Sequence, residues 1–254
     1  MSAIDELIRP DRYPRSSGYD PRWLLGLDMG PNPLWMLEDL TAELDLRPGM
    51  RVLDLGSGKG ATSVFLAREF GVRVVAADWW VPAEEAAEVF AGAGVGERVE
   101  AVRAEARALP FEHGSFDAIV SVDAFEYFGT DDHYFPYLAR FLRPGGRLGM
   151  ATVGMTREVR ELGAIPAHIK AVVGWEAIAW HTAEWWRFQW EITELVTVTS
   201  ARLQEGGWRD WLLWTRALME HQGEAGAAQR PVLDMLEADR GEFLSFALIT
   251  AEKR

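Results

Sequence analysis

A regular alternation of short apolar strands with helices, between residues 51 and 153, constrains the fold more than any other feature. Strands are predicted at 51–55, 72–78, 98–104, 116–123 and 147–153. Helices are predicted at 61–70, 82–94 and 131–142. Because parallel strands need long crossover connections, this alternation predicts an α/β fold with a mostly parallel sheet and helices on both faces.

The regions on either side of this core have a different character. Residues 1–31 are rich in Pro, Gly, Arg and Tyr, and we expect an irregular segment. A helix is predicted at 32–46, with Asn32 as its cap and Pro33 at its first position. After residue 153 we expect helices at 182–192, 208–221 and 231–239, and strands at 195–203 and 242–253.

We therefore predict one domain, 1–254, in four parts. They are a lid segment (1–31), a binding core (32–153), a Trp-rich helical insertion that covers the substrate (154–192) and late strands with a helical excursion (193–254).

Composition and charge exclude several classes of function. The net charge of −13 disfavours DNA or RNA as a partner, because an acidic protein repels phosphate backbones. The chain has no cysteine, so it forms no disulfides or thiolate metal sites, and its five histidines show no pairing that predicts a metal. No apolar run approaches the ~18 residues of a membrane span, and the N-terminus does not look like a secretion signal. We expect a cytoplasmic protein with no membrane partner.

The strand at 51–55 runs directly into a glycine-rich turn, Gly56-Ser57-Gly58-Lys59-Gly60. Glycine permits a positive φ in such a turn and lets a ligand approach the backbone. The helix that follows offers free N–H groups to a carboxylate or a phosphate. The pattern alone also fits a tight strand-to-helix turn.

Three acidic residues at strand ends favour a nucleoside ligand over a plain turn. Asp54 lies at the end of a buried strand and needs a partner, either a ligand ammonium or the N–H groups of its own loop. Asp78 ends the second strand and suits the two hydroxyls of a ribose. Glu105 and the Ala106 N–H are placed to bind an adenine, on which Trp79 or Trp80 would stack. A structural role remains the alternative for each.

Five segments in this order resemble the class I S-adenosylmethionine-dependent methyltransferases. They are "VLDLGSGKG", "VVAADWW", "AEARALPF", "FDAIVSVDAFEYF" and "FLRPGGRLGM". The resemblance implies a Rossmann-like sheet of seven strands with the last strand antiparallel, and S-adenosyl-L-methionine as cofactor. It also implies that Asp54 and the glycine loop hold the methionine part, near the Ser121 carbonyl, that Asp78 holds the ribose, and that Glu105 and Ala106 hold the adenine. Glu105 departs from the aspartate that is frequent there in the family.

The segment "GYDPRWLLGLDMGPNPLWMLEDL" is similar to small-molecule methyltransferases of the ubiquinone-biosynthesis and cyclopropane-synthase-related type. In that group the segment folds over the cofactor, which implies that Tyr19 and Asn32 contact it and that Tyr19 also contacts the substrate.

The reacting end of the site is expected beyond the fourth strand, where the chain reads "SVDAFEYFGTDDHYF". We predict Asp123 and Tyr127 as substrate contacts and His133 or Glu126 as the general base, if the acceptor has a proton to lose. His181 is an alternative base from the insertion. For each candidate base, a solvated or capping residue is the alternative.

Tryptophan is concentrated in the second half, where eight of the 12 fall between 175 and 214. Trp175, Trp180, Trp185 and Trp186 are predicted to line the substrate pocket, together with His181. Trp208, Trp211 and Trp214 share one helical face, which we expect to pack on the core or on a second copy in a homodimer.

Together these patterns predict a methyltransferase for a small-molecule acceptor. A nicotinamide-dependent oxidoreductase shares the glycine loop and the ribose acid, and a non-catalytic cofactor-binding module shares the whole site; both remain alternatives.

Overall fold

The computed structural model describes residues 2–254, which fold around one seven-stranded sheet. The strands are β1 (Arg51–Leu55), β2 (Arg73–Asp78), β3 (Val99–Arg103), β4 (Phe116–Val122), β5 (Leu142–Met155), β6 (Val196–Leu203) and β7 (Leu244–Lys253). Their order across the sheet is β3-β2-β1-β4-β5-β7-β6. The first five strands pair in parallel, and β7 runs antiparallel to both β5 and β6. The predicted fold class is confirmed.

Ten α-helices accompany the sheet within residues 2–254. They are α1 (Pro21–Gly26), α2 (Pro33–Thr41), α3 (Ala61–Phe70), α4 (Ala83–Gly92), α5 (Tyr134–Leu138), α6 (Val159–Leu162), α7 (Ala167–Val173), α8 (Ala183–Glu191), α9 (Gly207–Gln222) and α10 (Arg230–Asp239). The cap of α2 is as predicted, because Asn32 Oδ1 accepts from the N–H groups of Leu34 and Trp35.

Two apolar layers cover the two faces of the sheet. Successive strand residues alternate between them: Val52 packs in the layer that includes α2, α3 and α9, and Leu53 packs in the layer that includes α5 and α8. This alternation follows from the pleat of the strands, which sends neighbouring side chains to opposite faces. The arrangement fixes the carboxyl ends of β1–β4 along one edge.

Residues 2–31 are mainly irregular, as predicted, but they are packed against the core. They contain α1 and two short 3₁₀ turns, and Ile4, Leu7 and Tyr13 are buried in the core. Tyr13 donates a hydrogen bond to the buried Asp210 of α9. Local composition indicated the irregular structure, whereas contacts with a helix almost 200 residues away supply the packing.

Candidate functional site

A cavity of about 480 Å³ lies at the carboxyl ends of β1, β2, β3 and β4. Its walls come from four loops, each of which follows one of these strands. They are Leu55–Lys59, Ala77–Trp80, Ala104–Arg107 and Val122–Ala124. This is the edge of a parallel sheet at which ligands ordinarily bind, and the volume suits a cofactor-sized molecule.

The glycine loop takes the left-handed conformations that its sequence predicts. Gly56, Gly58 and Gly60 have φ values of 75°, 53° and 94°. A Cβ at Gly56 would lie 2.3 Å from the Ala124 side chain, and one at Gly60 would lie 2.3 Å from Phe90. The backbone at these glycines is therefore approached by the protein itself. Gly56, Ser57 and Gly58 line the cavity, and Gly60 does not.

Asp54 lies beneath this loop, fully buried and outside the cavity lining. Its Oδ2 accepts from Thr62 Oγ1 and Ser63 Oγ, both at 2.6 Å, which ties the end of β1 to the first turn of α3. Its Oδ1 has no hydrogen-bond partner within residues 2–254. Burial raises the pKa of Asp54 to about 6.

Asp78 connects two of the cavity loops through hydrogen bonds. Its Oδ2 accepts from Gly58 N at 2.8 Å, and its Oδ1 accepts from the N–H groups of Trp80 and Val81. One carboxylate thus joins the glycine loop to the end of β2. Since each carboxylate oxygen has two lone pairs, Oδ2 keeps one for a ligand hydroxyl, whereas the two N–H groups occupy both lone pairs of Oδ1.

The predicted adenine contacts lie on the neighbouring wall. Glu105, Ala106 and Trp79 all line the cavity. The Glu105 carboxylate accepts from Arg107 N at 3.0 Å and pairs with the Arg107 guanidinium. Trp80, also on this wall, makes an edge contact with Tyr127.

Ser121 does not line the cavity: it is buried, and its hydroxyl donates to Leu55 O. Ser57 contributes a polar atom there instead. Its Oγ is buried and has no partner in the described part of the chain. The orphaned Asp54 and Ser57 oxygens, beside a cavity of this size, fit an adenosyl amino acid with a polar methionine end.

A second cavity, of about 600 Å³, adjoins the first. Most of the residues that line it are apolar, and they come from distant parts of the chain. The apolar lining includes Val153, Val173, Ile178, Trp180, Trp211, Val232 and Met235. Trp175, which is 73% exposed, and Glu176 lie on the segment after α7.

A shared wall joins the two cavities. Met29, Gly30, Pro31, Asp123 and Tyr127 line both. The loop that contains Gly30 is fixed to α9, because Trp214 Nε1 donates to Asp28 Oδ1 at 3.0 Å and to Gly30 O at 2.8 Å. We call Met29–Pro31 with Asp123 and Tyr127 the partition.

Asp123 is the charged residue of the partition. It has a left-handed backbone, with a φ of 54°, and no donor within residues 2–254 bonds to its carboxylate. A Cβ at Gly30 would lie 2.1 Å from Asp123 Oδ2, so a larger residue there would displace the Asp123 carboxylate. Burial, together with nearby Glu126 and Asp28, raises the pKa of Asp123 well above its usual range.

Glu126 lies beside Asp123 in the second cavity and is 5% exposed. Its Oε2 accepts from Thr152 Oγ1 of β5. Burial raises the pKa of Glu126 to about 7. The half-buried Asp123 carboxyl and the buried Glu126 carboxyl therefore both have a raised pKa.

Besides Asp54, Gly60 and Ser121, five predicted site residues lie outside both cavities. Tyr19 is buried against Phe65 and donates to Glu69, and His133 is exposed at the start of α5. The rings of His181 and Trp185 stack with their centroids 3.6 Å apart, and His181 Nδ1 lies 2.9 Å from Glu158 Oε2. Burial lowers the pKa of His181, although Glu158 opposes this. Trp186 is fully buried in the layer that contains α8.

The structure also assigns residues that sequence reasoning missed. The partition residues Met29–Pro31, together with Lys59, line the first cavity. Trp211 is buried on the face of α9 that was expected to pack, as is Trp214, but it also lines the second cavity. The Pro31-Asn32-Pro33 turn was the available signal for a fixed loop at the partition.

Comparison with known proteins places this geometry in a family. Residues 52–146 match the family described as "Methyltransferase domain". These residues include the glycine loop, Asp78, Glu105, Asp123 and Glu126. The chain therefore contains a methyltransferase domain, over residues 52–146, of the class I S-adenosylmethionine-dependent kind. Its cofactor is S-adenosylmethionine.

One curated relative is "Methyltransferase GfsG" of Streptomyces halstedii, which is 35% identical over 119 residues. The alignment covers 46% of this chain and 43% of the relative, so the chain spans less than half the length of that protein.

Two solved structures share the fold. The [4+2]-cyclase SpnF has a TM-score of 0.72 at 18% identity, over 100% of this chain and 97% of that one. Geranyl diphosphate C-methyltransferase from Streptomyces coelicolor A3(2), in complex with Mg²⁺, geranyl diphosphate and S-adenosyl-L-homocysteine, has a TM-score of 0.68 at 18% identity, over 86% of this chain and 76% of that one.

Residues 2–254 contain no helix with the length and apolar character that crossing a membrane requires. The same residues contain no group of three or more His, Cys, Asp or Glu side chains arranged to hold a metal ion.

Proposed function

We propose that this chain transfers a methyl group from S-adenosylmethionine to a small-molecule acceptor in the second cavity. The observation that carries the proposal is the partition. Two cavities of about 480 and 600 Å³ share five lining residues, so ligands in the two would meet at Asp123 and Gly30.

The first cavity would hold the cofactor through residues on four strand ends. Asp54, Ser57 and the backbone of Gly56 and Gly58 would hold the methionine part. A ribose hydroxyl would donate to Asp78 Oδ2. Glu105, Ala106 and Trp79 would contact the adenine, with Trp80 and Tyr127 at the mouth of the cavity. When bound, the cofactor supplies a methyl carbon activated by a positively charged sulfur.

The chain's own work is to align the acceptor and to exclude water. The partition forms a wall of both cavities, so it would set the position of one ligand relative to the other. The Trp214 hydrogen bonds keep its loop in place. The segment after α7, with Trp175 and Trp180, covers the acceptor. Asp123 and Glu126 provide acceptors for a proton that leaves a protic nucleophile.

Isothermal titration with S-adenosylhomocysteine tests cofactor binding directly. We expect micromolar binding by the full chain and a loss of at least tenfold on Asp78→Ala. Because Asp78 also fixes the loops, near-ultraviolet circular dichroism should confirm that the variant is folded. Asp11→Ala, at an exposed position of the N-terminal segment, is the matched control. Absence of binding by the folded full chain refutes the proposal.

Transfer itself needs a second measurement, because the shared fold includes a cyclase and fold does not determine chemistry. Incubation with methyl-labelled cofactor and small-molecule extracts should yield labelled small products. Binding without any labelled product would instead favour a non-catalytic module. Fluorescence quenching by a nicotinamide nucleotide, without binding of S-adenosylhomocysteine, would favour an oxidoreductase.

A further inference from the structure

We propose that the acceptor is a hydrophobic amine that carries no phosphate or carboxylate group, bound with its nitrogen at Asp123. This inference rests on the proposed function and specifies the occupant of the second cavity.

The charges that line the second cavity are all negative. Asp123, Glu126 and Glu176 are its three ionisable acids, and no Lys, Arg or His is among the residues that line it. A phosphate or carboxylate ligand in this space would lack a positive partner and would face like charges. An ammonium group meets the opposite situation, because every formal charge around it is complementary.

The aromatic lining favours the same ligand. Trp180 and Trp211 make an edge contact with ring centroids 6.3 Å apart, and both are buried in the wall of the cavity. Trp175 lies at the exposed end. Indole faces attract cations and pack well against apolar ligand bodies. Since Val153, Met235 and other apolar side chains complete the lining, the ligand body should be hydrophobic.

The position of the nitrogen follows from the unpartnered carboxylate. Asp123 borders both cavities and accepts no hydrogen bond from residues 2–254. Glu126 lies in the same cavity, 95% buried, with only its Oε2 engaged by Thr152. The free oxygens of Asp123 and Glu126 lie at the surface of the cavity, where a ligand donor can reach them and replace water. An ammonium group has several N–H donors and would satisfy both carboxyls at the point where the methyl group arrives.

The chemical step balances with these residues. The bound ammonium gives one proton to the Asp123–Glu126 carboxyl pair, which leaves a lone pair on nitrogen. That lone pair forms the N–C bond to the methyl carbon, while the C–S bond breaks and its electrons stay on sulfur. The products are S-adenosylhomocysteine and an N-methylated ammonium ion, which carries the positive charge that was on sulfur. The proton then leaves the carboxyl pair to solvent.

Binding to the protein saturated with S-adenosylhomocysteine separates this inference from the proposed function. Saturation is checked first by titration, and its failure would concern the proposed function alone. Three ligands with one indole body but different charges are then titrated: tryptamine, tryptophol and indole-3-acetate. Phenethylamine and octylamine, each with its matching alcohol and acid, extend the set to other bodies.

We expect at least one amine to bind ten times more tightly than its matching alcohol, and every acid to bind more weakly than both. An alcohol or an acid that binds as tightly as its amine overturns the inference. So does a failure of every amine to bind at millimolar concentration.

A matched pair of variants assigns the effect to Asp123. Asp123→Asn keeps the shape, and asparagine tolerates the left-handed backbone at this position. We expect this variant to lose at least tenfold in amine affinity and less than twofold in alcohol affinity. Glu161→Gln removes an exposed charge on α6, away from the cavity, and should change neither. Equal losses for amine and alcohol on Asp123→Asn would indicate a merely structural role and would overturn the assignment.

Discussion

Asp54 offers the sharpest test of how this site is built, because its carboxyl is buried and only half satisfied. It is 0% exposed, its Oδ2 accepts two hydroxyl hydrogen bonds, and its Oδ1 has no partner within residues 2–254. Burial raises its pKa from 3.8 to about 6, although the hydrogen bonds from Ser63 and Thr62 oppose this. The ionised form is therefore less stable in the folded protein than in the unfolded chain.

The pKa difference sets the size and the sign of the effect. A difference of about 2 pKa units corresponds to about 3 kcal/mol. Between pH 4 and 6 the folded protein keeps a proton that the unfolded chain has lost, so stability falls as the pH rises. Above pH 6 the full penalty applies. Asp54→Asn is neutral at every pH and keeps an oxygen for the two hydroxyls.

We expect Asp54→Asn to gain up to about 3 kcal/mol over the wild type at pH 8, and well under 1 kcal/mol at pH 4. For a chain of this length the gain at pH 8 corresponds to a rise in Tm of roughly 6–12 °C. Urea and thermal unfolding of the ligand-free protein, followed by circular dichroism at both pH values, measure it. Asp11→Asn, at an exposed position, is the control and should show little change.

The functional counterpart is weaker binding of S-adenosylhomocysteine by the more stable variant, measured by titration at pH 8. A stabilised protein with a weakened site is a common outcome when a binding residue carries a stability penalty. An Asp54→Asn variant that is less stable than the wild type at pH 8 would refute the reasoning, since it would mean that the buried carboxylate is favourably paired.

Three further predictions concern the partition, the helix cap and the carboxyl pair. Gly30→Ala should reduce methyl transfer at least tenfold and change S-adenosylhomocysteine binding less, because its Cβ would meet Asp123 at 2.1 Å; kinetics and titration compare the two. Asn32→Ala leaves two N–H groups of α2 without their cap and should cost about 1 kcal/mol in urea unfolding. Methyl transfer should rise between pH 6 and 8 as Glu126, with a pKa raised to about 7, loses its proton, and initial rates of Glu126→Gln should lack that rise.

The core of the fold was predictable because its signals are local. β1, β2 and β4 are short, mainly apolar runs, β3 alternates polar and apolar residues, and glycines with positive φ mark the turn after β1. The physical reason for the glycines was only half predictable. Their backbone angles follow from the sequence, whereas the side chains of Ala124 and Phe90 that exclude a Cβ come from distant segments.

The acceptor cavity was beyond the reach of local patterns. Its walls combine residues near 30, 125, 175, 211 and 235, which meet only in the folded chain. His181 and Trp185 were predicted to line the substrate pocket because of their side-chain types. In the structure they stack on each other outside both cavities, and His181 lies beside Glu158. Trp211 had the spacing of a core residue and lies both in the core and in the cavity wall. Side-chain type indicates chemistry, but long-range packing decides which side chains share a space.

A common wall has a thermodynamic consequence. Since Asp123 and Gly30 border both chambers, an occupant of one alters the charge and the rigidity of the surface offered to the other. Linkage requires this influence to be mutual and equal in both directions. Each ligand should therefore change the affinity of the other, and the short loop that Trp214 holds in place should transmit the effect.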